Sequence, residues 1–234
     1  MKKVMLAVLI FGLAHFAWGD QTKTDTEDRL ESAAKTLQAI ANAPDKGIPD
    51  EVFKGAKCVA VVPSLLKGGF VFGGTHGRGV ATCKLPDGRW SAPAFFTITG
   101  GSWGLQIGVE DVSLVMMIMT DDGMRHLMNA KFKIGASASA SAGPVGRHAS
   151  AGTDWKFNTE ILTYSRSRGL FAGIDLGGSE VEQDGDSTTA MYGKDYPQTE
   201  LLTGKIAAPR AAHVFIAAVE HSERQAEEKA QAKK

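Results

Sequence analysis

The sequence lacks a net charge: 26 lysines and arginines balance 26 aspartates and glutamates. No global basic field draws such a chain to nucleic acid or to anionic lipid, so any anion site has to be a local patch. Only two cysteines are present, Cys58 and Cys83, and their spacing excludes a CxxC redox or zinc site. No HExxH or HxxxH pair occurs, and Asp184-Gly185-Asp186 is not followed by the other ligands of a calcium loop. A GxxxxGK[ST] phosphate loop is missing as well. These absences leave no metal, nucleotide or other cofactor to assign. Past the N-terminus no apolar run approaches the roughly 20 residues that a spanning helix needs. Val112 to Met119 is far too short and stops at Thr120-Asp121-Asp122.

The first residues follow the plan of a bacterial secretory signal. Met1-Lys2-Lys3 is a short positive start, Val4 to Ala14 is mostly apolar, and Ala17-Trp18-Gly19 offers small residues for a cut before Asp20. Residues 1–19 therefore read as a signal peptide, with an uncleaved anchor as the alternative. No cysteine adjoins the cut, which speaks against an acylated N-terminus. The mature chain is expected outside the cytosol, periplasmic or on the outer surface, and peripheral to membrane at most. In an oxidising compartment Cys58 and Cys83 are candidates for a disulfide; two free, buried cysteines are the other reading.

Thr24-Asp25-Thr26-Glu27 reads as a capping box, with Thr24 as the cap. Leu30, Ala33, Ala34, Leu37, Ile40 and Ala41 then recur at helical spacing, so residues 20–47 form an N-terminal helical segment. Ile48-Pro49-Asp50 starts a short second helix. From Lys57 to Met119 short apolar runs alternate with punctuation at Pro63, Gly73-Gly74, Asp87-Gly88 and Gly100-Gly101, the texture of an antiparallel sheet. Thr120 to Ala130 reads as a helix. Lys156–Arg166 and Leu170–Glu182 read as two further strands, with a turn at Asp184-Gly185-Asp186. Ala208-Pro209 opens a last helix running to Val219, and 220–234 reads as a charged, frayed tail. The 27 glycines, well above the usual ~7% share, cluster at strand ends. The fold class expected is α+β: an antiparallel sheet or barrel-like core, N- and C-terminal helices, and short helices between.

The order of the segments is informative. Lys67-Gly68-Gly69-Phe70-Val71-Phe72-Gly73-Gly74 is followed by Gly77-Arg78-Gly79-Val80 and Trp90-Ser91-Ala92-Pro93. Gly104-Leu105-Gln106-Ile107-Gly108 comes next, then Ala142-Gly143-Pro144-Val145-Gly146-Arg147, Tyr164-Ser165-Arg166-Ser167-Arg168-Gly169 and Tyr192-Gly193. Together they resemble the SYLF lipid-binding domain family over residues 48–219. Eukaryotic members bind phosphoinositides and other anionic lipids, some bind and bundle actin, and most carry an additional binding module. The resemblance implies non-catalytic binding of anionic phospholipid or a membrane surface. Export would separate this chain from cytosolic actin, so actin is not the partner expected, and no protein partner is identified.

Local basic residues are the headgroup candidates: Lys54, Lys57, Lys67, Arg78, Arg147, Arg166 and Arg168. Arginine can grip phosphate with two hydrogen bonds, and lysine acts as a point charge. The bland alternative for each is a partner among carboxylates and carbonyls at sheet ends. Two other functions stay open. One is a structural or partner-binding protein of the cell envelope. The other is an esterase, because Gly100-Gly101-Ser102-Trp103-Gly104 matches GxSxG with Asp175 and His213 downstream. A nucleophile elbow needs a helix after the serine, and Gly104 and Gly108 disfavour one.

Overall fold

Alternation along Cys58–Gly69 (β1) sends its side chains into two different cores. Cys58, Ala60 and Val62 enter one apolar cluster, whereas Val59 and Val61 enter the other. A strand buried on both faces reads as a continuous apolar run, which is why Cys58 to Val62 shows no polar alternation. The computed structural model describes residues 22–43, 47–69, 72–103, 108–145, 159–167, 170–171, 174 and 176–232. The leader read at 1–19 lies outside them, as do Arg147, Arg168 and Asp175.

In chain order the elements are α1 (Lys23–Ala41), α2 (Asp50–Gly55), β1, β2 (Phe72–Cys83), β3 (Ala94–Trp103), β4 (Gly108–Ile118) and α3 (Asp121–Met128). Then follow β5 (Lys131–Lys133), β6 (Ala140–Ala142), β7 (Ile161–Ser167), β8 (Leu170–Phe171), β9 (Glu180–Gln183), α4 (Gly185–Tyr192), α5 (Gln198–Leu202) and α6 (His213–Gln231). The strands form one sheet in the order β5-β9-β3-β2-β1-β4-β7-β6, with β8 on β7. All described pairings between strands are antiparallel except β6 with β7. The sheet is a curled half-barrel, so the α+β architecture is as expected and the barrel is open. Helices α1, α2 and α6 cover one face through Leu30, Leu37, Phe53, Phe215 and Val219. The second face is closed by Leu127 of α3, Leu201 and Leu202 of α5, and Phe132 and Val181 from β5 and β9.

Several elements differ from expectation for local reasons. Pro63 does not end β1. It sits where the register to both neighbours shifts, between Val62 and Leu65, and a bulge spares the ladder the N–H that proline lacks. Gly77 and Gly79 lie inside β2, not at its end. A Cβ on Gly79 would stand 2.3 Å from the Phe96 ring, so glycine there lets the ring lie on the backbone. The cap of α1 is Thr22, not Thr24: its hydroxyl accepts from Asp25 N–H and the Asp25 carboxylate accepts in return, each at 3.1 Å. Where one strand over Leu170–Glu182 was expected, the described residues hold two short ones, β8 and β9. Asp184 does not merely turn the chain; it caps α4 and holds Arg29 of α1.

The largest correction concerns residues 220–234. They were expected to form a frayed tail, yet α6 continues through Gln231. Ser222, Glu223 and Ala226 are buried, and Glu223 accepts from Trp90 Nε1 at 2.9 Å. Charged residues on one side of this helix hid the stripe that keeps the helix docked.

A lysine-rimmed apolar cleft

Cys58 and Cys83 face each other in register across β1 and β2 and are joined by a disulfide. Their outward neighbours are Lys57 and Lys84, and Lys84 N–H donates to the Lys57 carbonyl at 2.7 Å. The two lysines therefore leave the sheet edge side by side. Helix α2 ends just before them and brings Lys54 in its last turn. Thr120 caps the start of helix α3, its hydroxyl accepting from Gly123 N–H at 3.0 Å. That start places Asp121, Met124 and Met128 on one stripe, since residues three and four apart share a helix face. Leu202 of α5 and Thr203, which caps the C-terminus of that helix, complete the wall. The result is a cleft of about 520 Å³ lined by Lys54, Lys57 and Lys84 with Leu85, Met124 and Met128, among others.

Its charges are partly spoken for. Lys57 Nζ lies 2.7 Å from Asp121 Oδ1, with both groups exposed. The hydrogen bond from Lys57, followed by its charge, holds the Asp121 carboxyl below its usual value. Lys84 pairs with Glu223 of α6. Lys54 is exposed. An exposed ion pair is worth at most about 1 kcal/mol, so Lys57 can exchange Asp121 for a ligand anion at little cost.

Of the five basic candidates among the described residues, the structure brings together two, Lys54 and Lys57, and adds Lys84. The sequence held a signal for Lys84: if Cys58 and Cys83 are a cross-strand pair, the residues flanking them must be neighbours. Lys67 lies ten residues further along β1, roughly 30 Å away at about 3.3 Å per residue, and cannot reach this cleft. Arg78 is exposed on β2, on the face that carries α1. Arg166 lies in a second cleft of about 520 Å³, formed by Lys35, Thr36, Ala39 and Ile40 of α1 with Asp111 and Ser113 of β4. Its Nε is buried without a hydrogen-bond partner. There Lys35 lies 3.5 Å from Glu31 and Asp111 accepts from Ser64 at 2.7 Å, so this cleft is mixed in charge.

The GxSxG segment does not form an elbow. Ser102 is inside β3, in register with Gly73 of β2, and the next described element is another strand, β4. His213 is exposed at the start of α6. Among the described residues no group of His, Cys, Asp and Glu could hold a metal ion, and no helix is long and apolar enough to cross a membrane.

These features define an α+β domain with an amphipathic cleft. Residues 99–222 match the family model described as Ysc84, Las17-binding protein actin regulator. The chain is 32% identical over 202 residues to protein YSC84 of Saccharomyces cerevisiae, covering 83% of this chain and 43% of that protein. It is 33% identical over 193 residues to LAS seventeen-binding protein 3 of the same yeast, covering 79% and 42%. The human SH3 domain-containing YSC84-like protein 1 is 31% identical over 195 residues, covering 81% and 57%. The chain belongs to the Ysc84 family, the SYLF family its motifs resemble, and spans about half the length of the curated relatives it matches.

Proposed function

We propose that this protein binds anionic phospholipid at a membrane surface of a bacterial envelope, after export, and does no chemistry on it. The observation that carries the reading is the convergence of Lys54, Lys57 and Lys84 at the mouth of an apolar cleft. Near an anionic leaflet each lysine contributes about 1 kcal/mol. Three of them give reversible binding rather than anchoring. Because the chain as a whole carries no net charge, this local attraction is all the electrostatics available, and it should be screened within about 8 Å at physiological salt. Co-flotation of the protein with vesicles tests the reading. Flotation with anionic vesicles at low salt, lost at high salt and not seen with neutral vesicles, is the expected outcome. No flotation under any of these conditions overturns it.

The description of the family and the name of the yeast relative favour a second reading, a docking module for a protein partner. That reading expects capture of a protein with vesicles of every composition ignored.

A further inference from the structure

The cleft offers more than a charged surface needs. Lysines on a flat face would suffice for headgroup phosphate, yet here they rim a hollow of about 520 Å³ whose walls include Leu85, Met124, Met128 and Leu202. That volume is in the ~300–1,000 Å³ range of small-molecule sites, which are mostly apolar with a few placed polar groups. Met124 and Met128 are partly buried against the core below. Unbranched thioethers adapt to a flexible chain more readily than branched side chains do. The mouth is not built to plunge into a bilayer. The exposed large apolar residues among those described are Leu66, Val109, Val145, Leu170 and Val214, and none lines the cleft. Among the described residues no apolar collar rims the cleft to carry it into a membrane, so an alkyl chain has to come to the cleft.

We propose that this cleft holds one anionic amphiphile with a single alkyl chain. The chain lies along Met124, Met128, Leu85 and Leu202, and the carboxylate or phosphate head sits among Lys54, Lys57 and Lys84. The proposal rests on the anionic-lipid reading of the same site and narrows it to a ligand taken one molecule at a time. The head exchanges with Asp121 for Lys57, and the fixed neighbours Lys57 and Lys84 set its position. Charge complementarity selects an anionic head, and apolar burial makes affinity depend on chain length.

Carbon-13 methionine-methyl NMR of the protein, titrated with monomeric octanoate, decanoate, decyl phosphate and decyltrimethylammonium, tests this alongside vesicle flotation. Decanoate and decyl phosphate are expected to give saturable shifts at the Met124 and Met128 methyls, with the core methyls of Met116 and Met117 little changed. Decyl phosphate binding with decanoate failing, or the reverse, assigns the source of the head. Affinity should rise about fourfold per added methylene, the ratio that corresponds to burying one CH₂. Thr203→Trp, an exposed substitution at the cleft wall, should abolish the shifts. Absence of saturable shifts with both anionic probes, in protein that still floats with anionic vesicles, overturns the proposal and leaves the surface reading standing. Absence of shifts and of flotation overturns both. Equal binding of decyltrimethylammonium, or affinity indifferent to chain length, also overturns the proposal.

Discussion

Arg29 and Asp184 form a buried ion pair between α1 and the cap of α4. Arg29 Nη1 donates to Asp184 Oδ2 at 3.0 Å, with the two residues only 8% and 7% exposed, and the guanidinium stands 5.5 Å from the centre of the Phe95 ring. Burial pushes the Asp184 carboxyl up. The Ser187 hydroxyl and amide outweigh that burial, with Arg29 added, and hold it below its usual value. Removing one partner of a buried pair strands the other charge, at a cost of about 3–5 kcal/mol. Arg29→Ala should lose about that much stability in urea unfolding, and a loss within ~0.5 kcal/mol would contradict the assigned role. The pH dependence has a definite sign. A depressed folded value means that the unfolded chain binds more protons, so stability rises with pH in this window. The Asp184 contribution is complete above the ordinary carboxylate value near ~3.9 and fades as pH falls through the lower folded value. Asp184→Asn should flatten the acid limb of stability against pH. An unchanged acid limb would place the acid sensitivity elsewhere.

The last helix shows why elements were legible unevenly. Periodicity exposed α1 because its apolar positions are dense, and Thr120 marked the start of α3 as expected. The second half of α6 carries Glu220, Glu223, Arg224, Glu227, Glu228 and Lys229, so composition outweighed the sparse buried positions Ser222, Glu223 and Ala226. Glu223 is held there by Trp90 and Lys84, contacts more than 130 residues away that no local window can register. Deleting residues 220–234 should lower the melting temperature by several degrees, the scale of a ~1–2 kcal/mol loss in a chain of this size. A frayed tail would leave it unchanged. Pro63 misled for a similar reason: proline ends most strands, and only the bulge shared with both neighbours admits it here. In the cleft, Lys54 and Lys57 were legible as local charge, whereas Lys84, Met124 and Leu202 meet them only through tertiary folding.

At the scale of the molecule, a sheet buried on both faces ties helices from the two chain ends into one structure. Helix α1 packs on α6, and both lie on the strands between them. The Cys58–Cys83 disulfide closes β1 to β2 beside the cleft and restricts the unfolded chain over a separation of 25 residues. A loop of that length corresponds to about 3–4 kcal/mol. Cys58→Ala with Cys83→Ala should fall in stability by roughly that amount, measured by urea unfolding; stability equal to that of the oxidised parent would contradict it. The proposed binding uses the same edge of the sheet, because Lys57 and Lys84 flank that bond. The most direct test of the account is flotation with anionic vesicles at low salt, comparing the parent protein, Lys54→Glu with Lys57→Glu, and Lys67→Glu. Two exposed charge reversals should weaken binding on the order of tenfold, and Lys67→Glu, at the far end of β1, should float like the parent. Undiminished flotation of the double variant would contradict the claim that this cleft is where the protein meets lipid.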